Sequence, residues 1–213
     1  MSGCGEITAA VILAGGVNRR FGAPKSFIDI EGTPIIKRSL SLLKELFDEV
    51  FISTNDPEQY FHLADCAGVP LIGDVFSSLG PMSGIYSALI NSRGPGIFAV
   101  ACDMPFLRQD VIRFICKEHL RYSRECGPCD ATVPVFNNEP QPLSAVYSRT
   151  LLPHLENALI NCKTAMTPFL RGVKTFFIDE ADLRVIDPEG RSFTNINTAG
   201  DYEAIRKQVN SER

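Results

Sequence analysis

Leu13-Ala14-Gly15-Gly16-Val17-Asn18-Arg19-Arg20-Phe21-Gly22-Ala23-Pro24-Lys25-Ser26 follows directly on the apolar run Ala9-Ala10-Val11-Ile12. A short run of Ala, Val, Ile and Leu halted by paired glycines reads as a buried strand feeding a loop. Open α/β sheets bind ligands at that carboxyl end. Adjacent glycines let backbone N–H groups approach an anion with no Cβ in the way. Arg19, Arg20 and Lys25 place three positive charges within seven residues and no acid among them, a local anion funnel. The spacing excludes two familiar phosphate loops. It is not GxGxxG, because Gly15 and Gly16 are adjacent and Gly22 comes six residues later. It is not GxxxxGK[ST], because Lys25 lies three residues after Gly22. The plainer alternative is a basic surface turn; strand position, paired glycines and charge all weigh against it.

Outward from this loop, strand-length apolar runs alternate with helical patterns. Pro34 opens a pattern with Ile35, Ile36, Leu40, Leu43, Leu46 and Phe47 spaced three and four apart, an amphipathic helix with Pro in its first turn. Further strands are expected at 49–53, 69–72, 96–101, 131–136, 143–147 and 173–178. Helices are expected at 59–64, 82–90, 109–120, 149–160, 167–171 and 198–208, the last with Thr198 as N-cap. This alternation predicts a mainly parallel sheet with helices on both faces and right-handed crossovers. No repeat, low-complexity tract or linker interrupts it, so residues 1–213 are expected to form one domain of the α/β class, three-layered and Rossmann-like, with a mostly parallel, mixed central sheet.

Composition narrows the partners. At 45% hydrophobic and 22% charged, the chain has globular proportions, and at this length folding should bury roughly 70% of the unfolded surface without a disulfide or structural metal. The net charge of −4 argues against nucleic acid as a partner, since a basic excess supplies most of that affinity. The longest apolar run, residues 7–14, is too short to span a bilayer, and the first residues carry no basic, cleavable leader, so no membrane association is expected. Seven cysteines at irregular spacing fit reduced thiols in a cytoplasm better than a disulfide framework. Cys126-Gly127-Pro128-Cys129 has redox or half-zinc spacing, but no second motif completes a metal site, and it reads as a loop with incidental thiols.

The string LAGGxxxRFGxPK over residues 13–25 resembles the signature loop of the nucleotidyltransferases that activate NTPs on a nucleotide-diphospho-sugar-transferase-type domain. The resemblance implies that the backbone of Leu13, Ala14, Gly15 and Gly16 holds base, ribose and phosphate. It also implies that Arg20 and Lys25 neutralise phosphates, with Arg19 adding to the field. Asp74 followed by Gly80-Pro81-Met82-Ser83-Gly84 resembles the D…GPxxG segment of the molybdenum cofactor guanylyltransferases. There the Asp contacts guanine and the Gly-Pro turn, with Gly80 and Gly84, opens the helix beside the nucleotide. A carboxylate can accept from both N1–H and the exocyclic amine of guanine, a match that adenine and cytosine cannot make. Cys102-Asp103-Met104-Pro105-Phe106 resembles the family motif whose Asp, here Asp103, binds Mg²⁺. A lone carboxylate after a buried strand suits Mg²⁺, which keeps waters and borrows phosphate oxygens.

Gln141-Pro142-Leu143-Ser144-Ala145-Val146-Tyr147 resembles the family's HPLxALY strand, with Gln141 where His is usual. Asn195-Ile196-Asn197-Thr198, running on to Asp201, resembles NxNTPxD with Ala199 in place of Pro. Alternate residues on an extended stretch share a side, so Asn195 and Asn197 could present their amides together, near the metal and acceptor by resemblance. Ser53 stands where the family often places an Asn near the base, and Asn55 matches a second family Asn. Plainer readings stay open: Asp74 as a turn residue, Asp103 as a helix N-cap, the two Asn as caps. His62, His119 and His154 have no ligand spacing, and Lys163 and Arg171 read as solvated.

The resemblance implies transfer of GMP from GTP to the phosphate of molybdenum-bound molybdopterin, releasing pyrophosphate, with Mg²⁺ as cofactor and proteins that insert or deliver the cofactor as further partners. A phosphate monoester nucleophile is mostly dianionic at pH 7 and needs no general base, which fits the lack of a convincing His or Cys nucleophile. Lys25, Arg20 and Asp103 would carry catalysis electrostatically. The alternatives are a cytidylyltransferase for molybdopterin, another nucleotidyltransferase acting on a phosphorylated small molecule, or a non-catalytic nucleotide-binding protein. The cytidine enzymes tend to carry LAAG where this chain has Gly15-Gly16, which favours guanine.

Overall fold

Strand β1 (Ala9–Leu13) is buried along its whole length, and its side chains divide by parity between two cores. Ala10 and Ile12 enter one; Ala9, Val11 and Leu13 enter the other, as the two-residue period of a strand requires when both sheet faces are covered. A computed structural model describes residues 4–15 and 25–211, and for Lys25 the backbone alone. Gly16, Arg19, Arg20, Phe21 and Gly22 of the glycine-rich loop lie outside the described residues, as does the side chain of Lys25.

After the loop, a single 3₁₀ turn (Lys25–Phe27) leads into a small antiparallel hairpin, β2 (Asp29–Ile30) and β3 (Thr33–Pro34). Helix α1 (Ile35–Leu46) follows with Pro34 as its N-cap, so it starts one residue later than expected. The chain continues through β4 (Glu49–Ser53), α2 (Phe61–Ala67), β5 (Leu71–Ile72), α3 (Pro81–Asn91), β6 (Gly96–Ala101) and α4 (Gln109–Cys126). It then forms β7 (Ala131–Phe136), β8 (Glu139–Pro140), β9 (Ser144–Ser148), α5 (Leu152–Ile160), α6 (Met166–Arg171), β10 (Thr175–Ile178), α7 (Glu180–Ile186) and α8 (Ala199–Ser211).

The sheet order is β10-β7-β9-β6-β1-β4-β5, with β8 pairing β7. β1 pairs in parallel with β4 and β6, β4 with β5, and β10 with β7; β9 runs antiparallel to both β6 and β7. The sheet is therefore mixed and mostly parallel, as the sequence predicts. Leu40 and Leu43 of α1 and Val111, Ile112 and Ile115 of α4 cover one face. Met82, Ile85 and Leu89 of α3 and Leu155 and Leu159 of α5 cover the other.

Several boundaries move. α4 runs on to Cys126, six residues past the expected end at Leu120, because its last turns are held by ion pairs of Arg121 with Glu118 (2.6 Å) and Glu125 (2.8 Å). Cys126 is thus a helix terminus, and residues 127–130 form the connector to β7. α2 begins later than residue 59, after a 3₁₀ turn (Pro57–Gln59). α7 was not anticipated; Asp179 caps it, accepting from the Ala181 amide at 2.9 Å. Thr198 behaves as expected: its hydroxyl accepts from the Asp201 amide at 3.2 Å, while the Asp201 carboxylate accepts from the amides of Asn197 and Thr198, a reciprocal cap.

Candidate active site

The carboxyl ends of β1, β4 and β6 meet at one edge of the sheet. The Ala14 amide donates to the Ser53 carbonyl at 2.8 Å, and the Cys102 amide donates to the Leu13 carbonyl at 3.2 Å. The parallel ladders thus extend one residue past the strands and hold Ala14, Ser53 and Cys102 abreast. Ala14 is buried and Gly15 exposed, so the glycine-rich loop leaves the core there.

Tyr60 ties the two ends of that loop. Its buried hydroxyl lies 2.9 Å from Ser26 Oγ, beyond the loop, and 3.4 Å from the carbonyl oxygen of Ala14, before it. Its ring stacks on Phe27 with centroids 5.3 Å apart. Burial, partly offset by the Ser26 contact, pushes the phenol pKa up to about 12, so the hydroxyl keeps its proton for these bonds. Sequence reading passed over Tyr60 because nothing local marks it: its partners lie 34 and 46 residues away.

Asp74 follows β5 in a polar triad. Its Oδ2 accepts from Asn55 Nδ2 at 2.7 Å, its Oδ1 accepts from Ser53 Oγ at 3.2 Å, and its own amide donates to Asn55 Oδ1 at 3.1 Å. The carboxylate is half-buried and aimed by two donors, and each oxygen retains accepting capacity for a ligand. Ser53 points its hydroxyl at the carboxylate. The segment after Asp74 is anchored to α3: the Val75 amide donates to Ser87 Oγ at 2.9 Å, and Ser83 Oγ donates to the Phe76 carbonyl at 2.7 Å. Gly80 caps α3 with φ 73° and ψ −160°. At Gly84 a Cβ would sit 2.7 Å from Leu13 Cδ2 and 2.8 Å from Ser53 Oγ, so this glycine lets α3 close onto the ends of β1 and β4.

Asp103 stands on the turn after β6, and its carbonyl accepts from the Ile196 amide at 3.0 Å. That bond brings the 195–198 segment beside it. Ile196 is buried in a small core with Ile30, Ile35 and Ile205. Asn195 and Asn197, flanking it, turn the other way: Asn197 is exposed, whereas Asn195 is half-buried and its Oδ1 is fully enclosed with no hydrogen-bond partner among the described residues. An enclosed amide oxygen without a donor suits a cation or a ligand N–H. Asp103 and Asn195 therefore offer hard oxygens from adjacent segments. No group of three His, Cys, Asp or Glu side chains could hold a metal among the described residues.

Other expected positions take structural roles. Gln141 Nε2 donates to the Glu139 carbonyl at 3.1 Å, closing the turn before β9. His119 is buried among Thr132, Cys129 and Ser148 at the opposite sheet edge. Ser148 Oγ donates to the Cys129 carbonyl at 2.6 Å, so it accepts from His119 Nε2–H, and His119 Nδ1 accepts from Thr132 Oγ1 at 2.9 Å. Burial lowers its pKa to about 4, leaving the ring neutral. No helix among the described residues is long and apolar enough to cross a membrane.

A mixed sheet with a glycine-rich loop off its central strand, a carboxylate after the neighbouring strand and a polar triad over the strand ends defines a nucleotidyltransferase of the nucleotide-diphospho-sugar transferase fold. The model of the MobA-like NTP transferase domain family matches residues 10–175, and the chain belongs to that family. It is 34% identical over 204 residues to a probable molybdenum cofactor guanylyltransferase of Methanosarcina mazei, covering 92% of this chain and 88% of that protein. It is 31% identical over 200 residues to a molybdenum cofactor guanylyltransferase of Syntrophotalea carbinolica, covering 94% and 91%. The crystal structure of molybdopterin-guanine dinucleotide biosynthesis protein A from Archaeoglobus fulgidus superposes with a TM-score of 0.80 at 25% identity, covering 96% of this chain and all of that one.

Proposed function

We propose that this chain, acting as one domain, transfers GMP from GTP to the phosphate of molybdopterin in its molybdenum-bound form, giving the guanine dinucleotide and pyrophosphate. The observation that carries the choice of base is the Asp74 carboxylate, aimed by Ser53 and Asn55 beside the start of the glycine-rich loop. A held carboxylate accepts from N1–H and the 2-amino group of guanine together, whereas cytosine and adenine present no such pair of donors. The family membership and the relatives' names support the same acceptor. Free thiols at every described cysteine support a cytoplasmic setting.

In the reaction an oxygen of the acceptor phosphate attacks the α-phosphorus of GTP, the bond from that phosphorus to the bridging oxygen breaks, and pyrophosphate leaves with the electron pair. The nucleophile arrives as a dianion, so no side chain need remove a proton. What the chain supplies is position and charge compensation. The amides from Ala14 onward, with Arg20 and Lys25, hold the polyphosphate; Leu13 packs against Gly84 under the base; Asp74 fixes the guanine edge. Mg²⁺, when bound, would neutralise phosphate charge, and Asp103 with the Asn195 amide oxygen are the residues that would hold it. Proteins that deliver or receive the cofactor would meet the acceptor half.

The deciding experiment supplies each of the four NTPs in turn with molybdopterin and Mg²⁺ and follows dinucleotide formation and pyrophosphate release. Product with GTP alone is expected. Equal product with CTP, or pyrophosphate release without the pterin, would overturn the assignment.

A further inference from the structure

The amino-terminal segment lies along α4 in register with one helical stripe. Cys4 meets Cys116, its thiol hydrogen-bonded to that of the helix residue. Gly5 backs onto Leu120, where a Cβ would stand 2.7 Å from Leu120 Cδ1. Glu6 reaches Arg124 at 3.7 Å. The partners 116, 120 and 124 are spaced four apart, the interval that keeps side chains on one helix face. Three consecutive residues thus fasten to three successive turns. Both cysteines are buried, at 3% and 0% exposure, in the same apolar core.

We propose that Cys4 and Cys116 are a modification site at which a low-molecular-weight disulfide, of the oxidised-glutathione class, installs an intramolecular disulfide that straps the amino-terminal segment to α4. The Cys4 thiolate attacks one sulfur of the oxidant, whose S–S bond breaks and releases a thiol. Cys116 then attacks the Cys4 sulfur of the mixed disulfide and expels the second thiol. Two protein thiols lose two electrons and two protons; one oxidant disulfide becomes two thiols.

The order of attack follows from the surroundings. Cys4 stands on the short segment before β1, which can lift, so its sulfur is the first to meet an oxidant, whereas Cys116 is fully enclosed within α4 and acts as the resolving thiol. Access follows when residues 4–6 lift from α4, where the contacts to be broken include the exposed Glu6–Arg124 ion pair and the core packing of Cys4. Cys4 precedes β1, at the end of that strand away from Ala14, and Cys116 lies within α4, so the bond should change stability and leave turnover alone.

The test treats the full chain with oxidised glutathione, then digests it with trypsin under non-reducing conditions. A peptide containing Cys4 joined to one containing Cys116, two hydrogens lighter than their sum, is expected. Tm should rise by roughly 5–10 °C, the gain of a long closed loop, and dithiothreitol should reverse it. Cys4→Ser should abolish the rise while the reduced variant keeps wild-type turnover. Glutathione retained on Cys4, pairing of Cys126 with Cys129 instead, or no cross-link would overturn the proposal. The peptide map of the unmodified sequence reads the outcome even if the variant fails to fold.

Discussion

Replacing Asp74 with Asn keeps the shape of the side chain and removes its charge and half of its accepting capacity. In the native triad Oδ2 accepts from Asn55 Nδ2, and Asn55 cannot turn over, because its Oδ1 takes the Asp74 amide. The new amide must therefore offer its oxygen to Asn55 and its NH₂ to Ser53, whose hydroxyl can accept. A donor then faces guanine where an acceptor stood. One hydrogen bond to a charged group is worth about 1.5–3 kcal/mol, and a buried donor left facing a donor adds to the loss. The sum, about 2–4 kcal/mol, predicts a fall in kcat/KM for GTP of roughly 30- to 1000-fold. Asp74 is only half-buried, so stability should change little, with Tm moving by under about 3 °C. The assay is steady-state dinucleotide formation with GTP and with ITP, which lacks the 2-amino group. The native enzyme should prefer GTP clearly, and the variant should lose most of that preference. A GTP/ITP ratio unchanged by Asp74→Asn would refute the guanine contact whatever happened to overall rate.

Tyr60→Phe preserves the stacking on Phe27 but leaves the buried Ser26 hydroxyl without its partner, so KM for GTP should rise about tenfold and stability fall by about 1–3 kcal/mol; an unaltered KM would show that the tie does not serve the loop. Asp103→Ala should cut turnover at least about a hundredfold and flatten its dependence on Mg²⁺, and a wild-type Mg²⁺ titration would remove Asp103 as the ligand. His119 titrates near 4 in the folded chain and near 6.5 unfolded. The unfolded state thus takes up more protons in that interval, and the contribution is intact above pH 6.5 and lost as pH falls toward 4. About 2 kcal/mol should be gone at pH 5 relative to pH 7, measurable as a drop in urea midpoint that is absent from a His119→Gln variant.

The strands that decide the architecture were legible because their burial is two-sided. β1, β4, β6 and β7 coincide with their apolar runs, and no surface pattern competes with that signal. Where burial is partial the sequence says less. The last turns of α4 persist on ion pairs along a solvated face, which leave no apolar period to read. α7 buries Leu183 alone, although Asp179 and the acidic residues after it carried a capping signal. β2 and β3 are two residues each, below any pattern. At the site, Asp74, Asn55 and Asp103 were legible through motif resemblance, but the clamp on Asp74 and the Tyr60 tie were not. Both join residues far apart in sequence, and such bonds exist only once the sheet has brought the strand ends together.

Because β9 runs backwards between β6 and β7, the molecule is divided along a seam. On one flank the connections between β1, β4, β5 and β6 run through helices and every strand pair is parallel, and Asp74, Ser53 and Asn55 sit at the ends of those strands. On the other flank β7, β9 and β10 are joined by turns and short helices, and they meet the first flank through the β6–β9 ladder and through α5 packed on α3. Changes in that second half leave the parallel ladders of β1, β4, β5 and β6 in register.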